Sequence, residues 1–250
     1  MKYKLLLSAF LFQLTLNAQH LNFDGTNDYV NTPTSIASFT NQISFSGWLY
    51  VNNLSNYRNI LFGKTSDQES VVSLGGALGI GVVNDNDSNN RFSFAIELAD
   101  GSVKNVQGGT PIVNTWHFIV CTYDGSNIKL YVNGDLKHTV ASWYSINTTT
   151  NVRIGARSFD PATNYFKGKV AITRFYSRGL SAEEVSQNYD AERGRFGVTP
   201  YDITLSKLDT NGLVLYLDGA NSNSYPGSGN TWSDLSGNGN NFTLYGSPSF

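Results

Sequence analysis

The sequence predicts an all-β protein, a two-sheet antiparallel jelly-roll sandwich with one short C-terminal helix. Three observations support this. Apolar residues alternate with polar ones in short runs, the period of a strand with one buried face. Gly, Asn and Asp cluster between the runs, where tight turns need positive φ or side-chain-stapled backbone. Composition agrees: 24 of 250 residues are Gly, and Gly, Asn, Ser and Thr together outweigh the Ala, Leu and Glu that favour helices.

At the N-terminus, Lys2 and Lys4 precede an apolar run over 5–16, followed by Asn17-Ala18-Gln19. A positive start, a short apolar stretch and a small residue at the cut predict a secretory signal peptide over 1–18, cleaved after Ala18. The run is shorter than the roughly 20 residues a membrane-spanning helix needs, and no later stretch is long and apolar enough. A secreted or cell-surface location follows. Charged residues are 14% of the chain and the formal net charge is −2, so a nucleic-acid partner is not expected. Cys121 is the single cysteine and has no internal disulfide partner. Its place in an alternating run makes it a small core residue.

Strands are expected at 21–24, 27–31 and Ile43–Val51, where Ile43, Phe45, Leu49 and Val51 share a face. Others are expected at 58–63, 70–74 and 78–83, and at 91–98, where Phe92, Phe94, Ile96 and Leu98 point one way. Trp116–Tyr123 is apolar on both faces, as in a strand covered on both sides. Asn133-Gly134 joins 128–132 to 136–140, a pair suited to a type I′ hairpin turn. Further strands are expected at 152–156, 169–177 and 213–217. Ser181 and Glu184 have the spacing of a capping box and start a short helix running to about 189.

Between 20 and 194 the chain resembles laminin-G-like domains of the concanavalin A-like lectin/glucanase superfamily. The resemblance lies in Leu21-Asn22-Phe23-Asp24-Gly25-Thr26-Asn27-Asp28-Tyr29-Val30, Ile43-Ser44-Phe45-Ser46-Gly47-Trp48-Leu49 and Thr115-Trp116-His117-Phe118. It continues in Tyr123-Asp124-Gly125, Tyr131-Val132-Asn133-Gly134, Phe166-Lys167-Gly168-Lys169-Val170 and the closing 176–185. Residues 195–212 read as a linker. Residues 213–250, with Leu213-Val214-Leu215-Tyr216-Leu217-Asp218 and Trp232-Ser233-Asp234-Leu235-Ser236-Gly237, resemble the truncated start of a second such module. A segment this short and Gly-rich is expected to be loosely ordered.

The resemblance implies a binding module for a polysaccharide or glycan. The alternatives are a protein-protein adhesion module recognising a surface protein, or a domain related to glycoside hydrolases. Retaining members of the superfamily carry Glu-x-Asp-x-Glu on one strand face, and this sequence has no such string, so no catalytic residue is assigned. His117 and His138 lie in or beside strands without nucleophile or zinc spacing. The resemblance also implies a structural Ca²⁺ at Asp24 and Asp28. Ala171 stands where relatives have an acid, which argues against the ion. The acidic stretch 84–90 lacks the Gly and Glu of an EF-hand and reads as a hairpin loop. Loop aromatics are the candidate ligand contacts, because flat rings stack on sugar C–H faces: Tyr57 with Arg58, Trp143 with Tyr144, and Phe159 with Tyr165. Trp143-Tyr144 leads this set.

Overall fold

A computed structural model describes residues 19–31, 41–52, 54, 58–64, 78–84, 90–146, 152–156, 165–198 and 207–250, with backbone alone at 58–64, 78–84, 97 and 152. The signal-peptide region 1–18 and the strand expected at 70–74 lie outside the described residues. Strands follow in chain order as β1 (Leu21–Asp24), β2 (Tyr29–Asn31), β3 (Ile43–Val51), β4 (Arg58–Lys64), β5 (Leu78–Asn84), β6 (Asn90–Glu97), β7 (Val103–Gly108) and β8 (Trp116–Tyr123). Next come β9 (Asn127–Val132), β10 (Asp135–Ala141), β11 (Val152–Ile154), β12 (Lys167–Tyr176), β13 (Leu213–Asp218), β14 (Thr231–Trp232) and β15 (Phe242–Tyr245). Helix α1 (Ala182–Glu192) and a 3₁₀ turn (Arg193–Phe196) lie between β12 and β13.

One sheet runs β1-β12-β3-β8-β9-β10, with β13 also on β12; the other runs β14-β15-β2-β11-β4-β5-β6-β7. The named strand pairs are antiparallel. Between the sheets, Phe45, Leu49, Phe92, Phe94, Ile119, Cys121 and Phe175 fill the core. The predicted alternation of 43–51 and 91–98 is therefore the inter-sheet face.

The apolar second face of β8 has a different cover. Phe118 and Val120 point away from the other sheet and pack with Trp48, Tyr176, Val185 and Phe196 beneath α1. Trp48 stacks on Phe196 with centroids 4.0 Å apart and lies against Phe118 at 5.3 Å. The capping box forms as expected: Ser181 Oγ accepts from the Glu184 N–H at 3.3 Å, and Glu184 accepts from the Ser181 N–H at 2.8 Å. At the predicted hairpin, Asn133 and Gly134 have φ of 54° and 86°, the left-handed pair a type I′ turn requires.

Arg174 of β12 is fully buried beneath α1. It ion-pairs with Glu192, whose other carboxylate oxygen accepts from Trp48 Nε1 at 2.7 Å. Its guanidinium lies 4.2 Å over the Tyr216 ring. A buried charge is tolerated only when paired in this way.

Residues 213–250 pack onto the sandwich: β13 hydrogen-bonds to β12 and β15 to β2. Leu215, Leu217, Trp232 and Phe242 are buried in the inter-sheet core. Strand edges and apolar side chains that could not be satisfied within so short a segment are satisfied by the sandwich. The expected linker 195–212 contains Phe196, buried against Trp48.

Candidate functional site

After β10 the chain turns through 142–146. Its backbone is held at successive points: Ser142 N–H donates to Ser126 O at 2.8 Å, and Ala99 N–H to Ser145 O at 2.8 Å. The hydroxyl of buried Tyr123 donates to Tyr144 O. Leu98 and Ile146 form a bridge, with Ile146 buried. On this fixed backbone Trp143 is 77% exposed and Tyr144 52% exposed. Large rings left in water on an anchored loop make a preformed stacking surface.

Two turns flank the loop. Asp124 accepts from the N–H groups of Ser126 and Asn127 at 2.9 and 2.7 Å, and Lys129 Nζ lies 3.3 Å from its other oxygen. Partial burial pushes its carboxyl up, but these donors outweigh that and hold it below the usual value. Asp100 accepts from the Ser102 hydroxyl at 2.7 Å and the Ser102 N–H at 2.9 Å, which also lowers it. Both are carboxylates at neutral pH, so the rim beside the rings carries fixed hydrogen-bond acceptors.

The structure separates Tyr165 from this loop. Strand register places Tyr123 opposite Ile43, and Tyr50 opposite both Trp116 and Lys169, at the other end of the sheet. Tyr165 precedes β12 at that second end, so it is not part of the Trp143 surface. Tyr57 and Phe159 lie outside the described residues. Arg58 is placed by its backbone in β4, opposite Val83. A cluster absent from the sequence expectations lies on the outer sheet. Tyr29 stacks on Tyr245 at 4.8 Å and carries the Arg153 guanidinium at 4.3 Å. These residues come from β2, β15 and β11, and only the cross-strand pairing brings them together.

Asp24 and Asp28 do meet, as a turn. Asp24 Oδ1 accepts from the N–H groups of Thr26 and Asn27 at 2.7 and 3.4 Å, and Asp28 Oδ2 accepts from Asp24 N–H at 2.9 Å. Asp28 is buried, and desolvation raises its pKa, with the Asp24 N–H opposing and the Asp24 charge adding to the rise. Opposite Asp24 in the ladder stands Lys167, and its side chain lies over Gly25. Gly246 presses so close to Asn27 and Asp28 that a Cβ there would strike their backbone. Ala171 is buried beneath α1. Among the described residues no three of His, Cys, Asp and Glu converge. Two acids committed to a turn, faced by a lysine, do not fit a Ca²⁺ that needs six to eight oxygens.

Other reactive groups have structural partners. His117 is buried; desolvation lowers its pKa, and Nε2 accepts from Ile112 N–H at 3.2 Å. His138 Nδ1 accepts from Gln107 N–H at 3.0 Å across two strand edges. The Cys121 thiol is pushed well up by burial, the opposite of a nucleophile. Glu184 caps α1 and Glu192 binds Arg174 and Trp48.

A family model described as concanavalin A-like lectin/glucanases superfamily, of laminin-G type, matches residues 24–186. The chain belongs to this superfamily. No curated protein sequence matches it. Among solved structures this superfamily member is similar to a proposed carbohydrate binding protein from Bacteroides ovatus. The TM-score is 0.66 at 17% identity, covering 93% of this chain and 61% of that one. It is also similar to a heptameric SAP-like pentraxin from Limulus polyphemus, with TM-score 0.55 at 14% identity, covering 70% and 82%. At these identities the likeness shows a shared fold. The chain spans 61% of the length of the Bacteroides protein. No described helix is long and apolar enough to cross a membrane.

Proposed function

We propose that this protein is a non-catalytic carbohydrate-binding module that meets its ligand at the Trp143–Tyr144 loop. The observation that carries this is the loop itself: two aromatic rings exposed to solvent on a backbone tied down at 142, 144, 145 and 146. Ring faces take the apolar C–H face of a pyranose, and the Asp100 and Asp124 turns offer acceptors to its hydroxyls. Because the loop is held before binding, little ordering entropy is lost on contact. The B. ovatus protein of like fold is described as carbohydrate-binding, which supports the same class here.

The module works outside the cytoplasm, exported by the signal peptide read at 1–18. No acid/base pair serves a hydrolytic role: among described residues the acids cap, pair or close turns. The Asp24–Asp28 turn holds by its own hydrogen bonds and needs no Ca²⁺. A surface protein is the second partner class, favoured by Leu136, 51% exposed on the outermost strand β10.

Affinity electrophoresis against soluble polysaccharides, with an oligosaccharide array, tests the class. Retardation by at least one polysaccharide, unchanged by EDTA, is expected. Failure to bind any glycan while capturing a surface protein would move the assignment to adhesion.

A further inference from the structure

Strand β12 receives two strands on one edge. β1 pairs with residues 167–170 and β13 with residues 172–176, both antiparallel to it. β13 and β1 therefore point the same way and lie end to end, as two halves of one composite strand. The junction is tight. Gly219 N–H donates to Ala171 O at 2.8 Å, and a Cβ on Gly219 would lie 3.2 Å from Gln19 O and 3.3 Å from His20 Cα. At the other sheet β15 covers the edge of β2, and Asn22 N–H donates to Ser249 O at 2.7 Å. The last residues of the chain thus stand, in space, immediately before and beside its first strand.

The seat for this segment is chemically specific. Arg195 donates to both oxygens of Asp218 at 2.8 and 2.9 Å, and Tyr216 OH donates to Asp218 at 3.1 Å. Arg178 donates to Asn211 O at 2.8 Å and pairs with Asp209. Trp232 and Phe242 fill the core between the sheets. The outer face adds the Tyr245–Tyr29 stack. Without 207–250, the sandwich would present two bare strand edges, an apolar slot and an unmatched Arg195. That combination is a receptor for an extended chain.

We propose that this edge is a strand-acceptor site, and that it accepts residues 207–250 from a second copy of the chain as well as from its own. Apart from Tyr216–Asp218, which lies within the segment, the contacts just described join it to residues 19–198, so an identical segment from another molecule reproduces each of them. Contacts that an identical segment can reproduce are the condition under which exchange costs least. Charge complementarity between Arg195 and Asp218 and the match of apolar side chains to the slot select this segment over an unrelated strand. The inference is independent of the ligand assigned to the Trp143 loop.

Cysteine pairing on full-length chains tests it. Asn22 and Ser249 are bridge partners, within the Cα spacing of about 4.4–6.8 Å that a disulfide spans. The doubly substituted chain, Asn22→Cys with Ser249→Cys, is oxidised at low concentration. The two singly substituted chains are mixed at high concentration, held at acid pH, neutralised and oxidised. Internal closure of the double variant and a covalent heterodimer from the mixture are expected. The heterodimer should exceed several-fold that from Asn22→Cys mixed with Asp100→Cys. Asp218→Asn in the Ser249→Cys chain should lower its yield several-fold. Internal closure without heterodimer above the control would overturn exchange, and failure of internal closure would overturn the acceptor site itself.

Discussion

At the scale of single residues, two acids have opposite pH behaviour. Burial raises the Asp28 pKa, so the folded protein disfavours its charged form and loses stability as pH rises from the unfolded-state value through the folded one. Asp28→Asn keeps an oxygen to accept from Asp24 N–H and removes that charge. Its melting temperature should exceed wild type at pH 7, by an amount that shrinks toward pH 3 and does not change with added Ca²⁺. A drop that Ca²⁺ accentuates would restore the ion to the Asp24–Asp28 turn. Asp218 behaves the other way. Burial pushes its carboxyl up, but the Arg195 hydrogen bonds and charge, the Ala220 N–H and Tyr216 outweigh it, and the pKa falls. Its contribution is complete above the unfolded carboxylate value and disappears as pH falls through the lowered one. Asp218→Asn should therefore destabilise at pH 7, by less than the roughly 3–5 kcal/mol of a fully buried pair, because the Arg195 side chain is 26% exposed. Thermal melts of the variant and wild type should converge at low pH.

At the scale of elements, periodicity carried more than spatial placement. Residues 43–51 and 91–98 alternate because one face meets the facing sheet, and that alternation was legible. β7 was not anticipated: of Val103–Gly108 only Val106 is buried, so the period of two is carried by a single side chain. Arg174 was illegible for a related reason, since a lone arginine in a strand gives no sign of the glutamate 18 residues later that neutralises it. The strand expected at 213–217 forms as Leu213–Asp218, but its partner strand was not legible, because an alternating pattern names a buried face without naming the sheet. The same limit applies to the candidate site. Trp143 and Tyr144 were legible as loop aromatics, whereas their separation from Tyr165 depends on strand register. The segment's place in the fold predicts its energetics. Trp232→Ala removes a fully buried side chain and should cost about 3–5 kcal/mol. Calorimetry should show one transition shifted downward, since β13 and β15 share the core with β12 and β2. An earlier, separate transition for 207–250 would contradict that sharing.

At the scale of the molecule, the two-sheet sandwich gives the Arg, Glu and buried Asp groups among its described residues mainly to structure and leaves an aromatic loop in water at one end. The central claim is that this loop is where carbohydrate binds. Fluorescence tests it directly, because Trp143 is the exposed one of four tryptophans, with Trp48 and Trp232 buried and Trp116 partly so. A glycan that retards the protein in electrophoresis is titrated while acrylamide quenching of emission is followed. Saturating glycan should remove most of the quenchable emission. Trp143→Ala should abolish that change and weaken binding by roughly tenfold or more, the scale of losing a stacked ring worth about 1–3 kcal/mol. Equal affinity in wild type and Trp143→Ala, with quenching of Trp143 unaffected by ligand, would contradict the assignment.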